Sequence, residues 1–127
     1  MQEFDNLDSF LAHFDEVKGQ EHLIVYITGA VGEDGKSWCP DCDAHRDMIK
    51  QHVLSVEGAA PIIKFNVQTK AEWVGVSTHP LKVHPEILAK GVPCLILYNE
   101  GTAVHRLTDD ADFENAELLR SIALPGN

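Results

Sequence analysis

The sequence predicts an α/β protein in which helices cover both faces of a mixed central sheet. Short apolar runs alternate with segments of helical periodicity, which is typical of this class. An early pair of runs is joined by a helix, as parallel strands are, and a later pair by a tight turn, as antiparallel strands are. The length of 127 residues suits one domain, so we expect residues 1–127 to fold as a single unit.

Apolar spacing and capping residues predict three main helices. The first covers residues 7–17, because its apolar residues recur at helical spacing behind Asn6, a favourable N-cap. The second begins at two closely spaced cysteines and ends at Gly58, and the last covers 112–123. The segment "PEILAK" (85–90), opened by a proline and followed by a glycine, predicts a further short helix.

Four runs rich in apolar and β-branched residues predict the strands. "HLIVYIT" (22–28) and "PIIKFNV" (61–67) form the parallel pair on either side of the second helix. "VPCLILY" (92–98) and "TAVHRL" (102–107) are separated by the turn signal "NEGT" (99–102), which predicts a hairpin.

Composition excludes several classes of partner. The chain carries 10 Lys and Arg against 20 Asp and Glu, which gives a net charge of −10. A chain this acidic lacks the basic surface that binding to nucleic acids or anionic membranes requires. No apolar run approaches the length of a membrane span, and "MQEFDNLDSF" at the N-terminus does not resemble a signal peptide. Three cysteines are too few for a secreted disulfide scaffold, so we expect a cytoplasmic protein.

The segment "GKSWCPDC" (35–42) holds the most informative residues of the chain. Cys39 precedes Pro40 and is predicted to cap the second helix, where unpaired N–H groups and the helix dipole favour a thiolate. Cys42 lies one turn further in and should be more buried. This asymmetry suits a two-step exchange in which Cys39 attacks a disulfide and Cys42 resolves the mixed disulfide. Trp38 would offer a flat apolar rim for the substrate.

Two other interpretations use the same residues. A metal or iron–sulfur module could be built from Cys39, Cys42 and Cys94, but a closed zinc site needs a fourth ligand. His45 is near in sequence, yet we expect it to be a solvated helix residue, and we predict that the protein carries no metal. A third interpretation is an interaction domain that has kept the fold without redox activity. A purely structural disulfide is disfavoured because so small a loop constrains the unfolded chain little.

The motifs in register resemble the thioredoxin superfamily, and most closely its thioredoxin-related 14-kDa group with a W-C-P-D-C site. "TGAVGEDGKSWCPDC" is the most specific part, and "KAEW" (70–73) and "GVP" (91–93) fall where that group has similar signatures. The resemblance implies a thioredoxin-like fold. It maps the nucleophile onto Cys39, the resolving cysteine onto Cys42 and the cis-proline onto Pro93. The backbone of Val92 would then pair with an extended substrate.

The resemblance also implies an activity. It suggests a cytosolic disulfide reductase without a bound cofactor, re-reduced by NADPH through thioredoxin reductase. Its substrates would be a restricted set of protein disulfides and small disulfides such as cystine, and we expect a monomer. We also expect the glycine-rich loop 29–37 to border the site and restrict access to Cys39.

Two positions depart from the pattern of the superfamily. Many thioredoxins carry a buried aspartate in the first core strand, whereas the matching stretch "IVYIT" has Tyr26, so the role of that aspartate in proton transfer is unassigned. The residue after the predicted cis-proline is commonly small and polar, but here it is Cys94. Because Cys94 begins an apolar strand, we expect it to serve packing.

Overall fold

The computed structural model describes residues 1–126 and contains one five-stranded sheet. The strands are β1 (Gln2–Phe4), β2 (His22–Gly29), β3 (Ile62–Val67), β4 (Cys94–Asn99) and β5 (Thr102–Leu107). Their order across the sheet is β1-β3-β2-β4-β5. The pairs β1–β3 and β2–β3 are parallel, and β2–β4 and β4–β5 are antiparallel. The predicted mixed sheet is therefore confirmed.

Helices pack on both faces of this sheet, as predicted. They are α1 (Leu7–Val17), α2 (Pro40–Ile49), α3 (Lys70–Trp73), α4 (Pro80–Val83), α5 (Asp110–Phe113) and α6 (Ala116–Ala123). A π-helical turn, Lys50–Leu54, continues α2. Within residues 1–126, no helix combines the length and the hydropathy that crossing a bilayer requires.

Two buried clusters lie on opposite faces because side chains alternate along each strand. From β2, Leu23, Val25 and Ile27 join the cluster beneath α1 and α4, which also contains Cys94. Ile24 and Tyr26 join the other cluster, with residues of α2, α5 and α6. The central strands β2 and β4 therefore have apolar residues on both faces.

The sheet positions the cysteine pair at one edge. β2 ends at Gly29, and α2 begins at Pro40 after a short loop, above the carboxyl ends of the parallel strands β2 and β3. In open α/β sheets this edge is where ligands and reactive groups collect. The hydrogen bond from the Ala30 N–H to the Val67 carbonyl, 2.8 Å long, keeps the two strand ends together at the start of the loop.

One element of local structure was missed, and two predictions were wrong. The short edge strand β1 was not predicted, since three residues show too little alternation to be recognised. The last helix is divided at Asn115, whose side chain accepts the Leu118 N–H at 3.1 Å and so starts α6 as a separate helix. The predicted helix 85–90 does not form, and Leu88 within it has a φ of 48°.

The segment "PEILAK" is kept out of a helix by tertiary contacts that its own sequence does not reveal. The Tyr98 hydroxyl donates to the Glu86 carbonyl at 2.7 Å, and the Arg106 Nε donates to the Ile87 carbonyl at 3.0 Å. These side chains from β4 and β5 donate hydrogen bonds to carbonyl groups that would otherwise accept the backbone N–H groups of a helix. Tertiary hydrogen bonds thus replace the local pattern.

Candidate active site

The cysteine pair stands at the start of α2. Cys39 and Cys42 are joined as a disulfide, with their Cα atoms 5.2 Å apart. Cys39 is the N-cap residue, with extended backbone angles, and Pro40 follows in the first turn. Proline suits this position because its missing N–H would have no partner in the helix anyway. The predicted placement of Cys39 at a helix N-terminus is confirmed.

Each sulfur atom accepts a hydrogen bond from the backbone. The Cys42 N–H donates to Cys39 Sγ at 3.2 Å, and the Gly29 N–H donates to Cys42 Sγ at 3.3 Å. Cys39 retains 5% of its accessible surface, whereas Cys42 is fully buried. In the reduced protein the same donors would stabilise thiolate character, and they favour Cys39 because it is also at the positive end of the helix.

Gly29 is a site residue that the sequence analysis treated only as part of the loop. A Cβ atom there would lie 2.6 Å from Ser37 Oγ and 2.9 Å from Cys39 Cβ. Its position at the end of β2 brings the backbone against the cysteine pair, and no side chain fits in that space. The sequence did contain a signal for this contact, because Gly29 directly ends a core strand and precedes the two cysteines.

A groove of about 410 Å³ opens beside Cys39. Its lining includes Trp38, Trp73, Val74 and Val92. Cys39 Sγ lies 3.6 Å from the Val92 carbonyl oxygen, so this carbonyl lies beside the sulfur at the groove. The Val92–Pro93 peptide bond is cis, as the resemblance implies. The roles of Trp38, Val92 and Pro93 in binding substrate remain predictions.

The walls of the groove are fixed by hydrogen bonds and aromatic contacts. Trp38 Nε1 donates to the Val67 carbonyl at 2.8 Å, which anchors this rim to the end of β3. Trp73 is buried and also lines the groove. The Lys82 ammonium lies 4.5 Å from the centre of the Trp73 ring and also donates to the Trp73 carbonyl.

The loop before α2 forms a hairpin whose end contacts the site. Val31 and Ser37 form an isolated antiparallel bridge, and the Gly32 N–H donates to the Lys36 carbonyl at 2.9 Å. Ser37 Oγ accepts the Cys39 N–H at 3.0 Å. The prediction that this loop borders the site is therefore confirmed. Its effect on substrate access remains a prediction.

Cys94 does not share the surroundings of the cysteine pair. Its side chain is fully buried in the cluster on the face of the sheet opposite α2. Burial raises the pKa of its thiol to about 12, and the charge of Arg106 offsets only part of that effect. Burial likewise raises the pKa of Tyr26, which packs on the other face. Tyr26 is therefore a poor replacement for an aspartate in proton transfer.

His45 is buried, contrary to the expectation of a solvated residue. Its Nε2 atom lies 2.8 Å from an oxygen of Asp110, and its ring packs 5.2 Å from the centre of the Phe113 ring. Residues of α5 cover this position, and they could not be assigned to it from the spacing along α2. Because His45 and Cys94 lie on opposite faces, the structure does not assemble the ligand set of the metal interpretation.

A comparison with protein families decides the family. The family model described as thioredoxin domain-containing protein 17-like, thioredoxin domain, matches residues 1–124. The chain belongs to this family. As a thioredoxin domain-containing protein 17-like chain, it is a thioredoxin-like oxidoreductase in which Cys39 and Cys42 form the redox pair.

Individual relatives agree with this assignment. The chain is 30% identical over 113 residues to thioredoxin domain-containing protein 17 of Epinephelus coioides, covering 89% of this chain and 85% of that protein. It is 28% identical over 113 residues to the thioredoxin-like protein Clot of Oryza sativa subsp. japonica, covering 85% and 81%.

Solved structures support the fold. The oxidised mitochondrial thioredoxin 3 of Saccharomyces cerevisiae superposes with a TM-score of 0.58 at 14% identity, covering 97% of this chain and 92% of that one. At this level of identity the likeness shows the thioredoxin fold alone.

Proposed function

We propose that this protein is a disulfide reductase that uses Cys39 and Cys42 to reduce a restricted set of protein disulfides and small disulfides such as cystine. The observation that carries this proposal is the asymmetry of the pair. Cys39 lines an open groove at a helix N-terminus. Cys42 is fully buried, and its sulfur accepts a hydrogen bond from the Gly29 N–H.

The chemistry proceeds in two exchange steps. The Cys39 thiolate attacks one sulfur of the substrate disulfide, forming a mixed disulfide and releasing the first substrate thiolate. The Cys42 thiolate then attacks Cys39 Sγ, which closes the 39–42 disulfide and releases the second thiolate. Two electrons pass from the dithiol to the substrate, and the two released thiolates take up protons from solvent.

The groove suits a substrate that presents its disulfide on an apolar segment. Trp38 and Val74 form partly exposed apolar surface, and Val74 retains 54% of its accessible area. The Val92 carbonyl stands beside Cys39, where an extended substrate chain can donate an N–H to it. Asp41 and Lys70 are the two charged residues at this groove, so the lining itself has no net charge.

Return to the dithiol requires an electron donor. We propose NADPH acting through thioredoxin reductase, with no cofactor bound to the protein itself. A cytoplasmic location is consistent with this scheme, because reducing compartments keep such a pair available as thiols. The partners are then thioredoxin reductase and disulfide-containing proteins, encountered by a monomer.

The decisive experiment is a coupled assay. Purified protein, thioredoxin reductase and NADPH are mixed with cystine or with a protein disulfide, and NADPH consumption is followed by its absorbance. We expect consumption that depends on both the protein and the disulfide. Reduction of the protein by dithiothreitol, followed by single-turnover transfer to substrate, separates failure of the donor from failure of the chemistry. Absence of transfer in that second assay would reject the proposal in favour of an interaction domain without redox activity.

A metal assay addresses the alternative module. Protein purified without added metal is analysed for zinc and iron. Stoichiometric metal that is lost together with activity in Cys94→Ser would favour the metal interpretation. The positions of Cys94 and His45 on opposite faces of the sheet argue against that result.

A further inference from the structure

Asp43 links the loop to the redox helix. It follows Cys42 directly, in the first turn of α2, and its carboxylate turns back over the start of the helix. Both oxygens accept the backbone N–H of Ser37, at 3.0 and 3.2 Å. Ser37 is also the residue that closes the loop hairpin by bridging to Val31. One side chain therefore joins the end of the loop to α2.

The contact reaches Cys39 through Ser37. Ser37 Oγ accepts the Cys39 N–H at 3.0 Å, so the position of the serine affects the backbone of the cysteine that faces the groove. The same hydroxyl lies nearest to the space above the Gly29 Cα. A shift of Ser37 would therefore disturb both sides of the cysteine pair. Asp43 is therefore linked to Cys39 through two successive hydrogen-bonded contacts of Ser37.

A carboxylate at this place also has an electrostatic consequence. The hydrogen bond from Ser37 and the guanidinium of Arg46 hold the pKa of Asp43 below its ordinary value, so the group is ionised at neutral pH. An anion so close to the start of α2 would disfavour a thiolate at Cys39. Arg46, three residues further along α2, forms an ion pair with Asp43 and balances that charge.

We propose that Asp43 is a positioning residue for Cys39, acting through a brace that consists of the hydrogen bonds from the Ser37 N–H to the Asp43 carboxylate. Arg46 neutralises the charge of Asp43, so that the brace does not reduce the reactivity of the Cys39 thiol. The inference rests on the proposed function only in taking Cys39 as the attacking thiol. Three other charged groups surround this end of the site: Asp41 on α2, Lys36 in the loop and Lys70 across the groove. All three stay unchanged in the test variants.

Two readouts separate the brace from the charge. Hydrogen exchange of the Ser37 amide reports the brace. The rate at which iodoacetamide alkylates Cys39 in the reduced full chain, followed over pH with each cysteine resolved by mass spectrometry, reports the charge. Neither readout needs reductase activity, so a failed coupled assay with these results intact would refute the proposed function and not this inference.

Four variants give distinct expectations. Asp43→Asn removes the charge but keeps an oxygen that can accept the Ser37 N–H. At pH values below the midpoint of the Cys39 alkylation profile, alkylation of Cys39 should accelerate about two- to threefold, and hydrogen exchange of the Ser37 amide should stay nearly unchanged. Asp43→Ala should accelerate alkylation similarly and speed Ser37 exchange about tenfold or more, because the acceptor is lost. Arg46→Met should slow alkylation about two- to threefold, and Asp43→Asn with Arg46→Met should return it near the wild-type rate.

Asp47→Asn is the matched control. It removes the same charge from the same helix, at an exposed position whose side chain forms none of the hydrogen bonds or ion pairs found for Asp43. We expect both readouts at wild-type values. Unchanged Ser37 exchange in Asp43→Ala would overturn the brace. Faster alkylation in Arg46→Met would overturn the charge balance.

Discussion

The two regions of this protein that hold cysteines are almost equally buried and yet differ in what surrounds the sulfur atoms. Cys39 and Cys42 retain 5% and 0% of their accessible surface, and Cys94 retains 0%. Both sulfurs of the pair accept backbone N–H bonds at the start of a helix. Cys94 lies among apolar side chains at the start of β4, and burial raises the pKa of its thiol to about 12.

This difference teaches that burial alone does not decide whether a thiol reacts. Desolvation disfavours the thiolate at every buried site, and it prevails unless donors or positive charge compensate. The N-terminus of α2 and the Gly29 N–H supply that compensation to the pair. At Cys94 only the charge of Arg106 acts in this direction. We therefore expect reductase activity to depend strongly on the pair and its surroundings, and little on Cys94.

Removal of the Cys39 thiol should have the largest effect. Cys39→Ser should reduce turnover to background, by at least about a thousandfold, because a hydroxyl at this site is not a nucleophile toward disulfides. Cys42→Ser should accumulate a mixed disulfide on Cys39, since the resolving step is lost. The adduct is detected by intact-mass spectrometry under non-reducing conditions. Equal adduct formation on Cys94 would break the comparison between the two regions.

The sequence predicted those parts of the fold that depend on local pattern. The first helix and the second hairpin strand have the predicted bounds, Leu7–Val17 and Thr102–Leu107, because periodicity, Asn6 and the "NEGT" turn all act locally. The predicted helix 85–90 was wrong because Tyr98 and Arg106 bond to its carbonyls from distant strands. Such partners cannot be read from the segment itself.

The site residues likewise divide into those that local sequence predicts and those that depend on contacts with distant parts of the chain. Cys39 and Cys42 were predicted from their spacing and from a helix start, both of which are features of neighbouring residues. Gly29 was not assigned a contact, since the space above its Cα is filled only when the chain folds back. His45 was wrongly expected in solvent because Asp110 and Phe113, which cover it, lie far along the chain on α5.

Gly29→Ala should have the second-largest effect. The new Cβ would lie 2.6 Å from Ser37 Oγ and 2.9 Å from Cys39 Cβ, so the loop or the start of α2 must shift. We expect a loss of about 1–3 kcal/mol in the free energy of unfolding and roughly a tenfold lower reductase rate. Denaturant titration and the coupled assay measure the two effects.

Gly19→Ala is the control for that prediction. A Cβ atom at Gly19 would have no other atom within 4 Å, and the residue lies away from the cysteines, so rate and stability should both stay near wild type. Wild-type kinetics in Gly29→Ala would show that the close approach of β2 to the pair is not needed for its reactivity. The distinction between the pair and Cys94 would then rest on the helix alone.

Changes at Trp38 should be milder and should act on substrate binding. Trp38→Phe keeps an apolar ring but removes the Nε1–H bond to the Val67 carbonyl, which still accepts the Ala30 N–H. We expect a loss of about 0.5–1.5 kcal/mol in stability and a severalfold higher KM, with little change in kcat. Trp38→Ala should raise KM further. Steady-state kinetics with a protein disulfide checks this, and a loss confined to kcat would contradict a role in binding.

Cys94→Ala should have the smallest effect on activity and a specific effect on alkaline stability. The folded-state pKa of about 12 lies above the ordinary value of 9.0, so the folded protein keeps a proton that the unfolded chain has lost between these values. This contribution to stability is present below about pH 9 and is lost as the pH rises toward 12, by about 1 kcal/mol per unit.

Oxidised protein is used, so that only Cys94 titrates among the thiols. Tyr26 titrates in both proteins and cancels in the comparison. The charge of an ionised Cys94 also raises the pKa of Tyr98, so the comparison ends at pH 10, where Cys94 is still neutral in the folded protein. Between about pH 8 and 10, the free energy of unfolding should therefore fall about 1 kcal/mol further in wild type than in Cys94→Ala. Parallel curves would show that Cys94 is not desolvated as the structure places it, and lost reductase activity would place Cys94 in the site.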